Sequence, residues 1–87
     1  MENLNKERKF TMKNFVIVRI ANKPDGSVSV PVNAFETEAL AWKEFYRLCG
    51  AAVDSANPMD AVAILTKEGF LIDHKVFEHE VTAENAE

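Results

Sequence analysis

Cysteine, proline, glycine and long apolar runs are all scarce in this sequence, and each scarcity removes a class of protein. The one cysteine, Cys49, can close no disulfide within the chain and cannot supply a structural zinc site, which takes about four Cys or His ligands. Three glycines and three prolines among 87 residues, within an ordinary globular composition, argue against intrinsic disorder of the whole chain. No apolar run approaches the ~18 residues of a membrane helix, and the segment Met1 to Thr11 is too polar for a signal peptide. A cytoplasmic protein without membrane contact is therefore expected. What is present fits a globular domain, with 47% hydrophobic and 28% charged residues. At 9.8 kDa there is room for one domain and one small core.

Charge is unevenly spread around a net value of -4. Lys6, Arg8, Lys9 and Lys13 make a basic head, and Glu78, Glu80, Glu84 and Glu87 an acidic tail without a base. Runs of this kind are read as solvated ends. Residues 1–13 are accordingly expected to form a flexible basic arm and 81–87 a flexible acidic tail, on either side of a single domain over 14–80.

The segment Phe15 to Ala21 is dense in β-branched residues and reads as a strand. Lys23-Pro24-Asp25-Gly26 then carries the residues of a type I turn closed by a left-handed glycine. Ser27 to Val32 alternates apolar and polar, the pattern of a strand with one buried face. A three-residue loop sets Asn22 opposite Val28, Ile20 opposite Val30 and Val18 opposite Val32. Pro31 cannot donate to a ladder, so this strand is placed at an edge or its pairing ends there. Thr37 is the predicted N-cap of a helix starting at Glu38, with the stop expected between Asp54 and Pro58 rather than at Gly50. Ala41, Phe45, Leu48 and Ala52 form its apolar stripe. Asp60 to Thr66 and Phe70 to Glu78 are two further strands around the turn Lys67-Glu68-Gly69.

The expected fold class is α+β with the order ββαββ: a four-stranded antiparallel sheet, order 2-1-3-4, with one helix packed on one face. The sheet floor beneath the helix is predicted to be Val16, Val18, Ile20, Val30, Ile64 and Ile72. Phe15, Ile17, Leu65, Leu71 and Phe77, with Arg19 and Lys75 among them, would then share the uncovered face, a patch large enough to mark a protein interface.

Little in the chain speaks for catalysis. Nucleophile motifs, phosphate loops and metal-ligand clusters of workable spacing are missing, so neither a catalytic residue nor a metal or other cofactor is expected. His74 and His79 stand five apart and on a strand point to opposite faces. Cys49 reads as a small buried hydrophobe. Small sheets can stack nucleic-acid bases on aromatic residues, but the glycine-aromatic ribonucleoprotein motif is missing and a pI near 5.1 opposes it.

The run Met12 to Val18, the turn Pro24-Asp25-Gly26-Ser27, the helix segment Glu38 to Tyr46 and the ending Gly69 to Glu78 together resemble small uncharacterised proteins of tailed phages and prophages of gut Firmicutes. The resemblance implies a mobile-element origin and no known catalytic residues. A non-catalytic accessory protein is expected, acting through protein contacts with a homodimer or a host protein as partner. An acidic inhibitor of a host defence or nucleic-acid-binding protein, a weak single-stranded nucleic-acid binder, and a ligand pocket within an oligomer stay open as alternatives.

Overall fold

A computed structural model describes residues 12–79. The arm expected before residue 12 and the tail expected over 81–87 lie outside the described residues. The chain runs β1 (Phe15–Asn22), β2 (Val28–Ser29), β3 (Val32–Phe35), α1 (Glu38–Val53), β4 (Met59–Thr66) and β5 (Leu71–Glu78). It is an α+β fold in which one helix covers a five-stranded antiparallel sheet, ordered β2-β1-β4-β5 with β3 also paired to β1.

The strand count exceeds the expected four because the second strand breaks at Pro31. β2 and β3 both pair with β1 in a single register, Asn22 with Val28 and Val18 with Val32. The Arg19 amide donates to the Pro31 carbonyl at 3.1 Å, but the proline nitrogen has no hydrogen to return to Arg19. Pairing is lost there and resumes at Val32. At the turn, Gly26 sits at φ +90 and its amide donates to the Lys23 carbonyl at 3.0 Å. Asp25 Oδ1 accepts from both the amide and the hydroxyl of Ser27, the hydroxyl bond being the largest of the influences that lower its carboxyl pKa.

Thr37 caps α1, its Oγ1 accepting from the Leu40 amide at 3.3 Å, and the helix closes at Asp54, whose amide donates to the Ala51 carbonyl while the Ser55 amide donates to that of Ala52, each at 3.2 Å. Ala41, Phe45, Cys49 and Ala52 recur every three or four residues and are buried along one stripe. Cys49 takes the place expected for Leu48, which packs at the margin. The stripe lies on Ile17, Val62 and Ile64, ringed by Phe15, Phe35, Trp42, Leu48 and Phe77.

The helix therefore covers the opposite face of β1 from the one predicted. Of the expected floor only Ile64 is in the core; Ile20 and Ile72 are exposed, as is Val30 beside the broken edge. The cause is the phase of the second hairpin. β1 meets β4 with Val16 opposite Leu65 and Ile17 opposite Ile64, so Ile64 shares a face with Ile17 and not with Val16. A one-residue difference in pairing moves every side chain to the other face.

The second hairpin also departs from its expected register. A three-residue loop sets Leu65 opposite Leu71, Ile64 opposite Ile72 and Val62 opposite His74; the first pair forms, but Ile64 faces Asp73 and Val62 faces Lys75. The extra residue is Ile72, and both it and Leu71 are exposed. Beyond this bulge Asp73, Lys75 and Phe77 lie on the helix side.

Candidate functional site

Because side chains alternate along a strand and opposed residues share a face, the register fixes what the uncovered side of the sheet presents. Across its middle run Val32, Val18, Ala63 and His74; on one side of that row lie Ala34, Val16, Leu65 and Leu71, and on the other Ile20, Ala61 and Val76. Val28, Asn22, Met59 and Glu78 form the last row, at the turn end. On this face of the described strands only His74 and Glu78 can titrate, and both belong to β5.

The polar residues are on the other side. Arg19 lies beneath the helix layer with 19% of its side chain exposed, while Asp60 is fully buried. Arg19 Nη2 is 3.1 Å from Asp60 Oδ1, Nε is 3.4 Å away, and Asn57 Nδ2 donates to the same oxygen at 3.1 Å. Asp60 Oδ2 has no hydrogen-bond partner among the described residues. Burial is the largest single influence on this carboxyl and pushes its pKa up. Ser55, Asn57 and the Arg19 guanidinium together outweigh it and hold the pKa below the ordinary value. The sheet is thus apolar at the centre of both faces, with the Arg19–Asp60 pair on the helix side, whereas a half-solvated antiparallel sheet ordinarily turns its polar residues to the open face.

The five residues predicted to share an interface are divided by this geometry. Ile17 is 1% exposed in the core, and Phe15 and Phe77 pack against that core, so these three belong to the helix side. Leu65 and Leu71 face each other on the open side. Sequence reasoning missed Val16, Val18, Ile20, Val32, Ala61, Ala63 and Val76. A signal was available: Arg19, two residues from Ile17, and Asp60, two from Val62, are opposite charges that suit the same face of neighbouring strands.

The remaining chemistry-bearing groups are structural. Cys49 is buried on the sheet-facing side of α1, and loss of solvation, the leading cause, raises its thiol pKa, with Lys75 opposing the shift and Asp73 adding to it. His79 is not on a loose strand end as its position suggests. Its amide donates to the Pro58 carbonyl at 2.9 Å, and its ring Nε2 lies 2.8 Å from the Ala52 carbonyl, which can only accept, so Nε2 carries the hydrogen. This bond satisfies a carbonyl in the last turn of α1. His74 points to the opposite face of β5. Among the described residues no group of three or more His, Cys, Asp or Glu side chains could hold a metal ion, and no helix is long and apolar enough to cross a membrane.

Outside the sheet, the outer side of α1 is charged and self-paired. Glu44 and Arg47 make a two-pronged ion pair at 2.7 Å for each prong, and Trp42 Nε1 donates to Glu38 at 3.0 Å. Trp42 and Tyr46 stack at 5.6 Å between ring centres. Compared with known proteins, the chain matches no family model, no curated protein and no solved structure.

Proposed function

We propose that this chain is a small non-catalytic protein-binding module, an accessory protein of phage or prophage type, whose working surface is the open face of the sheet. The observation that carries the binding reading is the contrast between faces: half-buried Val16 and Val18 and exposed Ile20, Val32, Leu71 and Val76 lie on the face the helix leaves uncovered, while Arg19 and Asp60 are paired under the helix. A contiguous aliphatic surface is unfavourable in water by roughly 25 cal/mol per Å² and favours coverage by an apolar partner. The phage-type origin rests on the sequence resemblance alone.

A nucleic-acid surface has less support. Phe15 and Phe77, the aromatic residues a base would stack on, are on the helix side, and Arg19 is engaged with Asp60. Neither lysine nor arginine lies on the open face of the described strands. An acidic inhibitor would bind through its charge, and the open face carries almost none.

Comparative capture tests the binding reading. The wild-type chain, the V18E variant on the open face and the K43E variant on the helix exterior are each immobilised and exposed to bacterial lysate and to free wild-type chain. Binding that survives K43E and is lost in V18E supports the reading. Capture that is equal for all three, or absent for all, overturns it.

A further inference from the structure

The proposed binding reading leaves the occupant of the face open, and the geometry points to a second copy of this chain, stacked sheet on sheet about a two-fold axis that runs along the strands between β1 and β4. The relief of the face carries this inference. β1 presents a ridge of Val18 and Ile20 at the centre of the face, and the neighbouring β4 presents Ala63 and Ala61 directly opposite them, with Leu65 beside Val16 and Met59 beside Asn22 at the two ends. Alanine beside valine and isoleucine makes a trough alongside a ridge.

A two-fold axis parallel to the strands and midway between β1 and β4 places the ridge of each copy over the trough of the other. An axis across the strands instead lays ridge on ridge and trough on trough, leaving voids that a packed interface does not tolerate. The face is complementary to itself in the first arrangement, and no other molecule has to supply the matching shape.

Charge agrees with this placement. The axis sets β5 of one copy over the β2–β3 edge of the other, so Glu78 meets the end near Val28 instead of a second Glu78, and His74 lies over the Val30–Val32 stretch. No like charges confront each other, and the centre of the face buries aliphatic groups alone.

The area is sufficient. Three strands of eight residues and the broken β2–β3 edge, which spans 28–35, at about 4.8 Å spacing and about 3.3 Å rise give a footprint of about 500 Å² per copy, so two copies cover the ~1,000 Å² that a specific interface requires. The product is a four-layer particle, helix, sheet, sheet, helix.

Sedimentation equilibrium of the full chain and two variants tests the inference, with circular dichroism confirming that each variant keeps its helix and sheet. The wild-type chain is expected to be a concentration-dependent dimer and V18E a folded monomer. A63L fills the trough without adding charge, and it should weaken dimerisation at least about tenfold by overpacking. A generic apolar patch would respond in the opposite way, so tighter association of A63L overturns the ridge-in-trough arrangement. A wild-type chain that stays monomeric at every concentration overturns the second copy. Where that monomer shows nuclear Overhauser contacts from residues 1–11 to Val18, the occupant is the chain's own segment. Where it instead captures a lysate protein that V18E does not, the second copy fails while the binding reading stands.

Discussion

The guanidinium of Arg19 reaches diagonally from β1 to the carboxylate of Asp60 on β4, with Nη2 3.1 Å from Oδ1. The two partners are unequally placed: Arg19 keeps 19% of its side chain in solvent and Asp60 keeps none. Breaking the pair from either side is consequently not equivalent. R19M strands a buried carboxylate and is expected to cost about 3 kcal/mol, whereas D60N retains the shape and the Asn57 contact and lets Arg19 extend toward water, costing about 1 kcal/mol. Chemical denaturation of the two variants measures the difference, and equal losses would show that solvent reaches Asp60.

The same carboxylate gives the fold a defined response to acid. Its pKa in the folded chain lies below the ordinary carboxylate value, because Ser55, Asn57 and Arg19 outweigh the burial that raises it. Below an unfolded-state value of about 3.9 the unfolded chain therefore binds the proton more readily than the folded one. The stabilisation is fully present above that value and is lost as pH falls through the folded-state pKa. Asp25 and Glu44 are shifted in the same direction, the first by bonds from Ser27 and the second by Arg47. Thermal unfolding followed from neutral pH downward should weaken below about pH 4, and D60N should flatten that decline without abolishing it. A D60N profile that runs parallel to wild type would remove Asp60 as a source of acid sensitivity.

Phe45 and Val18 separate the two faces of the sheet in one comparison. Phe45 is fully buried and meets Trp42 edge-on, ring centres 5.2 Å apart. F45A leaves a cavity in a small core and is expected to cost about 3 to 5 kcal/mol, a large part of a small domain's stability. V18A on the open face should cost the isolated fold under about 1 kcal/mol, because its neighbours there leave it in contact with solvent. Denaturation at low protein concentration, where association contributes least, gives both values. A V18A loss as large as that of F45A would mean the open face is covered within the chain.

Much of this arrangement is legible in the sequence, for local reasons. The turn at Pro24-Asp25-Gly26 fixes loop length, and with it the register from Asn22–Val28 to Val18–Val32. The Thr37 cap, the run through Gly50 and the stop at Asp54 follow from residues a few positions apart. The face chosen by the helix is a different kind of fact. Both sides of β1 are apolar, Val16-Val18-Ile20 on one and Phe15-Ile17-Ala21 on the other, and their alternation divides them without ranking them. The phase between β1 and β4 is set across the helix, through contacts far apart in sequence, and the Ile72 bulge shifts β5 by one residue more. The β1–β4 phase places Leu65 and Leu71 with Val16 and not with Ile17, and the bulge turns Phe77 to the helix side, away from Leu71.

Pro31 offers a test of how the edge is built. It stands opposite Arg19, where the two residues of the pair should exchange bonds in both directions, and only the Arg19 amide donates, at 3.1 Å. In P31T an amide hydrogen would face the Arg19 carbonyl and join β2 to β3 in one strand. The new bond is worth about 0.5 to 1.5 kcal/mol. Losing proline frees the unfolded chain and removes about 0.4 to 1 kcal/mol, so the net change in stability should be close to zero. Hydrogen exchange is the informative readout, since a new, strongly protected amide at position 31 is expected even when the unfolding midpoint does not move. Rapid exchange at that amide would mean that β2 and β3 are held apart by something other than the missing donor.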